Sequence, residues 1–399
     1  MMKTEIIAIL CGALAVHATA ATFGDDLTFL QKYTPVVTLG EGAAQVLVAP
    51  ALQGRVLTST ASGAGGASFG WINRELFAAR KIGPHMNAFG GEDRLWLGPE
   101  GGQFSIFFPP GAPFDFAHWQ TPPAFDTEPF RVSSQDNEQV TLQHTLVQQN
   151  YSRTMFKLSI ERQVRLQKTE LLWKALGIMP MAGIQAVAYE SYNRLTNAGD
   201  QPWEKTTGLL SIWMLGMYNA APSAAVIVPF QSGPAAERGP IVESGYFGTV
   251  PPDRLQVRDG YILFRADAKQ RGKIGLSPRR AKPLLGAYDA AGHVLTLVQF
   301  TLPAGQTDYV NSLWKLQDAP FAGDAANSYN DGPNDTGKCL GNFFEMESSS
   351  PALALRPGAT YEHVHRTIHL TGPEAELAAI AQQVLGANLD DVKRFVGGK

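Results

Sequence analysis

Two glutamates in the segment Phe343-Phe344-Glu345-Met346-Glu347 form the clearest chemical pattern in the chain. Residues two apart in a strand share a face, so Glu345 and Glu347 point one way and Met346 the other. Apolar flanks would desolvate these carboxylates, and each would raise the pKa of its neighbour. A carboxylate held this way can act as a general base on a sugar hydroxyl. The competing reading is a polar strand edge turned to solvent. A second group lies between His85 and Gly102: His85, Glu92, Asp93, Arg94, Trp96 and Glu100, in a stretch that also holds Gly90-Gly91 and Gly101-Gly102. Paired glycines allow tight turns and close backbone approach. An arginine among carboxylates and beside an indole suits a sugar, because polar groups bind hydroxyls while the indole face stacks on C–H bonds. The same residues equally suit an Arg–carboxylate network that pins a long loop.

The remaining candidates are weaker. Asn330, Asp331, Asn334 and Asp335 fall in a stretch, residues 327–337, that reads as a loop. It superficially resembles a calcium loop but lacks the Asp-x-Asp-x-Asp-Gly order and the closing Glu. The reading is a hydroxyl-binding or self-bonded turn loop, with Asn330 and Asp331 as ligand contacts. His363, His365 and His369 share one face of a final strand. His-x-His can bind zinc, but no acidic partner stands at motif spacing, so half-exposed strand histidines and no metal are expected. His144 lies on an alternating strand and is expected to point into a cleft as an acid or a sugar donor. His118, beside Trp119, follows a Pro- and Phe-rich loop and could line the rim. No serine-hydrolase chemistry is expected. No Gly-x-Gly-x-x-Gly precedes a helix, and no Lys-Ser/Thr follows the glycines, so neither dinucleotide nor phosphate cradling is indicated. No cofactor is expected.

The elements that must position these residues read as antiparallel β. Of 399 residues, 44% are hydrophobic and only 17% charged, against roughly 25% charged in an average soluble domain. That supports a sizeable core and excludes wholesale disorder. The net charge of -3 offers no basic excess for a phosphate backbone, so no nucleic-acid partner is expected. The 40 Gly and 26 Pro favour many turns between short strands. Short apolar runs at Val36–Leu39, Ala44–Val48 and Arg55–Ser59 are punctuated by Gly40, Gly42, Pro50 and Gly54. Strict alternation in Gln139–His144 and Lys157–Leu166 marks half-buried strands, and the stretch Leu171 to Asn197 continues in the same style. Tyr261–Phe264 and His293–Phe300 follow turn signals. Two helices are expected: one capped by Asp25 or Asp26 and running through Lys32, the other from Pro373 through Val384 to a stop at Gly386.

The N-terminus reads as an export signal. Lys3 precedes an apolar run from Ile6 to Val16, and Ala18-Thr19-Ala20 reads as a cleavage site. The mature chain should begin near Ala21, be periplasmic or secreted, and carry Cys339 as its sole cysteine, a small buried or partly buried spacer. Elsewhere no apolar stretch approaches the ~20 residues of a membrane-spanning helix. The organisation expected is a signal peptide over residues 1–20, one β domain over 21–372 and a helical tail over 373–399.

Three segments together resemble the galactose-mutarotase-like superfamily, in an uncharacterised bacterial secreted branch of unknown function. "VLVAPALQGRVLTS" from Val46 resembles the early hairpin of that fold. "YESYNRLTNAGDQPWEKTTGLLSIW" from Tyr189 resembles its strand–turn–strand segment with an Asn-rich turn and a tryptophan. "FFEMESSSPALALRPGATYEHVHRTIHL" from Phe343 resembles the terminal strands of sugar epimerases. The resemblance implies an all-β, antiparallel β-supersandwich with a short C-terminal helical tail. It places Glu345 at the position of the epimerase base. The His-x-Tyr-Phe-Asn signature of true epimerases is absent, so their catalytic histidine has no counterpart here.

The resulting expectation is an exported carbohydrate-active protein of the epimerase or lyase type that holds a sugar in the concave sheet. Glu345 would be the base, with Glu347 or His144 as acid partner and His85 as a further catalytic candidate. Arg94, Trp96, Glu92, Asp93, Asn193, Trp213, Asn330 and Asp331 would contact the sugar. The alternative is a non-catalytic glycan-binding protein that uses the same cleft.

Overall fold

Period-two alternation builds the long strands and decides which side chains enter the core. The computed structural model describes residues 21–334 and 336–398. The segment read as an export signal and Asp335 lie outside the described residues. A small sheet comprises β1 (Val37–Leu39), β2 (Gln45–Ala49) and β3 (Arg55–Thr60) in that order. A five-stranded sheet contains β4 (Arg94–Gly98), β9 (Ser211–Asn219), β13 (Gly272–Leu276), β16 (Ala326–Asn330) and β17 (Phe343–Ser349), in the order β13-β16-β17-β9-β4. A ten-stranded sheet contains β5 (Arg131–Gln135), β6 (Gln139–Gln149), β7 (Met155–Leu166), β8 (Gln185–Asn197), β10 (Ala224–Pro229), β11 (Leu255–Val257), β12 (Tyr261–Arg265), β14 (Leu284–Asp289), β15 (Val294–Phe300) and β18 (Thr360–Thr371). Its order is β11-β12-β10-β14-β15-β18-β8-β7-β6-β5. The strand pairs within the sheets are antiparallel.

The inner face of the ten-stranded sheet packs on the five-stranded sheet. Leu95, Leu97, Ile212 and Met214 meet Leu142, Leu158, Ile160 and Leu195 in one cluster. Phe344, Met346 and Ile274 meet Val226, Phe264 and Val298 in another. The outer face is covered by α3 (Thr169–Leu176), α5 (Glu374–Leu385) and α6 (Leu389–Gly397). Their Trp173, Leu377, Ile380 and Val392 bury Leu295, Ile368 and Leu370. The α3 helix falls inside the stretch read as continuous strand from Leu171. Leu172, Trp173 and Leu176 form the one-sided stripe of a helix there, closed by Gly177 in the left-handed region. The first helix, α1 (Phe23–Leu30), is capped by Thr22 rather than by either aspartate: Thr22 Oγ1 accepts from Asp25 N, and Asp25 Oδ2 accepts from Thr22 N. The short helices α2 (Arg74–Ala79) and α4 (Ala235–Arg238) lie in loops. Among the described residues no helix is long and apolar enough to cross a membrane. Cys339 is exposed, not the buried spacer expected.

The interior between the sheets also carries a polar layer. The odd-numbered residues His363, His365, Thr367 and His369 of β18 face inward and are buried, not half-exposed. Ser348 Oγ bridges His363 Nε2 at 2.8 Å and His365 Nδ1 at 2.9 Å. Burial pulls His363 down to about 3 and His365 to about 4. Both rings stay neutral in the fold while the imidazoles of an unfolded chain, with pKa ~6.5, take up protons. The unfolded state therefore binds more protons below that pH, and this contribution to stability falls as pH falls. His363→Gln keeps a polar partner for Ser348 and removes one titration. Between about pH 7.5 and about pH 5 the wild type should lose roughly 2 kcal/mol more unfolding free energy than this variant. Urea titrations at both pH values measure it, and equal losses would refute the assignment.

Candidate functional site

The face of the five-stranded sheet turned away from the ten-stranded sheet is polar and aromatic. Register assembles it. Glu345 pairs with Met217 on one side and Tyr329 on the other, and Tyr329 pairs with Lys273. One step along, Glu347 pairs with Leu215 and Asn327, and Leu215 pairs with Arg94. A further step brings Trp213 opposite Trp96. Cross-strand partners share a face, so these residues project together.

Direct contacts join them. Arg94 Nη2 donates to Glu345 Oε1 at 2.7 Å, and its guanidinium lies 4.5 Å from the Trp96 ring centre. Lys273 Nζ and Trp213 Nε1 each donate to Glu347 Oε2 at 2.9 Å, while Glu347 Oε1 is buried without a partner. Tyr329 OH donates to Asp331 Oδ1 at 2.7 Å and accepts from Arg271 Nε at 3.2 Å. The loop after β4 brings Glu100 to the same charges.

Burial sets the electrostatics. It pushes Glu345 up to about 7 against the pull of Arg94, and Glu347 adds to the rise. It also pushes Glu100 up to about 7, with Lys273 opposing and Glu347 assisting. Burial pulls Lys273 down, but Glu347, Glu100 and Glu345 overrule it and hold the ammonium above its ordinary range. Asp324, beside Tyr246, rises to about 6 by burial. The face thus offers two carboxyl groups that exchange protons near neutral pH, next to a fixed ammonium and a fixed guanidinium. Among the described residues no group of histidines, cysteines and carboxylates could hold a metal ion.

Of the residues singled out in the sequence, Glu345, Glu347, Arg94, Trp96, Trp213 and Asp331 come together here. His85 reaches the rim: its Nδ1 donates to Trp119 O at 2.6 Å and its ring lies 4.5 Å from Phe116. The others are elsewhere. His144 sits on the ten-stranded sheet, stacked on Phe130 at 4.9 Å and 3.2 Å from Glu128. Glu92 is fully buried and accepts from Ser59, Tyr189 and His369. Asp93 turns to the opposite side of β4 from Arg94 and pairs with Arg162, which also bonds Asn193. Asn330 closes β16, which occupies the start of the stretch read as a loop. Its amide accepts from Ala268 N at 3.0 Å and donates to Gln270 O at 2.9 Å, so it is committed to the backbone. Gly66-Ala67-Ser68-Phe69-Gly70 has the spacing of a nucleophile elbow, yet Ser68 Oγ meets Thr58 and Asp26 and no histidine.

Glu100 also comes from the His85–Gly102 group, and three contributors were not singled out from sequence: Lys273, Arg271 and Tyr329. A signal existed for two of them. In Arg271-Gly272-Lys273-Ile274 the basic residues alternate with a small and an apolar one, which is the pattern of a strand with one polar face.

In overall structure the chain is similar to a protein described as a candidate aldose 1-epimerase from Escherichia coli K12. The identity is 11% and the TM-score 0.51, over 85% of this chain and 99% of that one. It is similar to a protein from Synechocystis sp. PCC 6803 at 12% identity and a TM-score of 0.50, over 85% and 96% of the two chains. A galactose mutarotase-like protein from Lactobacillus casei ATCC 334 aligns at 11% identity and a TM-score of 0.45, over 84% and 100%. No curated protein matches the chain by sequence. The fold is the antiparallel, galactose mutarotase-like β-supersandwich that the three sequence segments implied. A family model covers residues 21–396, and the chain belongs to that family, DUF6786, a family of unknown function.

Proposed function

We propose that this protein is an exported carbohydrate-active enzyme that interconverts the anomers or epimers of a sugar held on the outer face of the five-stranded sheet. One observation carries the reading: Glu345 is a buried carboxyl poised near neutrality and held by Arg94 at 2.7 Å on a face rich in hydroxyl-binding groups. In mutarotation, Glu345 takes the proton of the anomeric hydroxyl as the bond from C1 to the ring oxygen breaks. Glu100, held partly protonated, gives its proton to that ring oxygen. The carbonyl rotates, the ring closes on its other face, and both protons return. Lys273 and Arg94 orient hydroxyls and balance the carboxylates. No histidine is required, in keeping with the missing epimerase signature.

Export rests on the Lys3 to Ala20 pattern, and the family match beginning at residue 21, directly after the Ala18-Thr19-Ala20 site, supports it. N-terminal sequencing of secreted material tests this half of the proposal, and a chain still starting at Met1 would refute it.

The competing reading is a glycan-binding protein in which the Arg94–Glu345 pair only orients hydroxyls. Polarimetry and NMR exchange measurements on a panel of aldoses, together with a screen for unsaturated products from acidic glycans, separate the two. Acceleration of anomer exchange supports the enzyme. Sugar binding without any turnover supports the binder.

A further inference from the structure

The centre of the site lies under cover. Glu345 is 7% exposed, and Arg94, Tyr329 and Glu347 are less so, so a sugar ring reaches them only when something above the sheet moves. The two sides of the cover differ. On the β4 side stands Trp119, itself buried and stacked on Phe107 at 6.0 Å and on Trp314 at 5.8 Å, which makes a fixed wall. On the β13 side the cover is a single pass of chain, residues 244–249. Its two ends are anchored. Ile241 and Val242 before it and Val250 after it pack on the core, and Glu243 forms an antiparallel bridge with Gly275 through hydrogen bonds of 2.9 and 2.8 Å. Between those ends little holds it. The Ser244 and Gly245 amides turn back onto Glu243 Oε1 at 3.0 and 2.7 Å. Among the described residues no backbone hydrogen bond ties residues 244–249 to another element. Two rings dock the segment on the site. Tyr246 OH donates to Asp324 Oδ2 and accepts from Asn327 Nδ2 at 3.3 Å, and its ring lies 5.7 Å from Lys273 Nζ. Phe247, 44% exposed, lies 3.9 Å from the Arg271 guanidinium and 5.8 Å from Tyr329, the cross-strand neighbour of Glu345. Gly248 follows with a φ of +93° and open space where a side chain would stand, so the backbone can swing there without meeting a neighbour.

We propose that residues 244–249 form a lid over this site: it lifts about Gly245 and Gly248 to admit the ligand, and it closes with Tyr246 latched to Asp324 and Phe247 laid over Arg271. The proposal rests on the sugar reading above for what the lid admits, and it adds how that site opens. Local opening draws on segments with few buried apolar contacts and few backbone hydrogen bonds, and this segment has few of either. A lid needs only a few positions that absorb the backbone change while its flanks stay packed. Closure keeps water away from Glu345, Glu347 and Lys273, which strengthens every charge interaction among them. Among the described residues, the one charge-assisted hydrogen bond that holds the closed form is that of the Tyr246 hydroxyl to the Asp324 carboxylate. That bond therefore sets how often the lid stands open.

The test is acetylation of Lys273 by an N-hydroxysuccinimide ester on the purified full chain, timed by peptide mass spectrometry at one pH in the wild type and in Tyr246→Phe. Phenylalanine keeps the ring over Lys273 and removes only the latch, so faster labelling reports opening and not lost bulk. Lys273 should label about tenfold faster in the variant, the size of one hydrogen bond to a charged group. The exposed Lys157 on the ten-stranded sheet should label alike in both. The Gly275 amide, which donates to Glu243 O, should exchange its hydrogen at the wild-type rate, because the lid is anchored there. Equal labelling of Lys273 in the two proteins would overturn the lid. Faster exchange at Gly275 in the variant would overturn it too, since the whole sheet edge would then be fraying. The labelling is repeated with glucose, galactose, mannose and xylose present. A sugar over Glu345 should slow the labelling of Lys273 in both proteins. If no sugar does so while Tyr246→Phe still labels faster, the sugar reading fails and the lid stands. If a sugar protects Lys273 and the two proteins label alike without it, the lid fails and the sugar reading stands.

Discussion

Glu345→Gln should leave the fold intact and lower turnover of the responsive sugar by at least ~10²-fold, the lower end of what a general base contributes. The glutamine keeps an oxygen that accepts from Arg94 Nη2, so sugar affinity should change little. The loss should fall on kcat and not on KM, because the proton acceptor acts only as the ring bond breaks. The pH profile is a second readout. Glu345 must be ionised and Glu100 protonated, and burial holds both near about 7. The rate should therefore peak near neutrality and fall on either side, with apparent constants that belong to the cluster as a whole. Glu345→Gln should abolish the rising acidic limb in whatever activity remains, whereas Glu100→Gln should flatten the alkaline one. A variant at Glu345 with wild-type turnover would remove the base from the mechanism. A pure binder would show no turnover in either protein, and its affinity would respond to Arg94→Ala instead.

The long strands were legible because their alternation is local. Gln139–Gln143 and Lys157–Glu161 alternate polar and apolar residues, the signal of a half-buried strand, while Val294–Phe300 is a mostly apolar run, the signal of a strand buried on both faces. The α5 helix was legible for the same reason, with acidic residues in its first turn and Gly386 at its end. The site was legible only in pieces. Arg94 and Glu345 stand 251 residues apart, and no local pattern relates them. Only the likeness to a known fold gave Glu345 the position of a catalytic base. Alternation itself separates Asp93 from Arg94, since neighbours in a strand point to opposite faces. Proximity in sequence had grouped them as one sugar-binding cluster. The inward-facing histidines of β18 show the reverse problem: polar residues on a strand suggest a wet face, and here that face is a buried hydrogen-bonded layer.

Asp93→Asn should be among the most destabilising single changes in the chain, at about 3–5 kcal/mol. Asp93 and Arg162 both have fully buried side chains. The Arg162 guanidinium also bonds Gly54 O at 3.1 Å and Asn193 Oδ1, and Ser191 Oγ donates to Asp93 Oδ2 at 2.8 Å. Arginine does not shed its proton at accessible pH, so the variant leaves a cation in a low-dielectric interior with only neutral partners. Against a total stability of ~5–15 kcal/mol this is a large share. Urea unfolding should show a lower midpoint at unchanged slope. The half-exposed pair of Arg194 with Glu161 is the control: Glu161→Gln should cost at most ~1 kcal/mol. A paired replacement, Asp93→Leu with Arg162→Met, should recover much of the loss, because it removes both charges together. If the proposed sugar binding holds, the molecules that remain folded should keep it, because Asp93 faces the core and not the side of the five-stranded sheet that carries Glu345. If Asp93→Asn instead left stability within ~1 kcal/mol of wild type and abolished sugar binding, then Asp93 would belong to the site and the division of β4 into a buried face and a ligand face would be wrong.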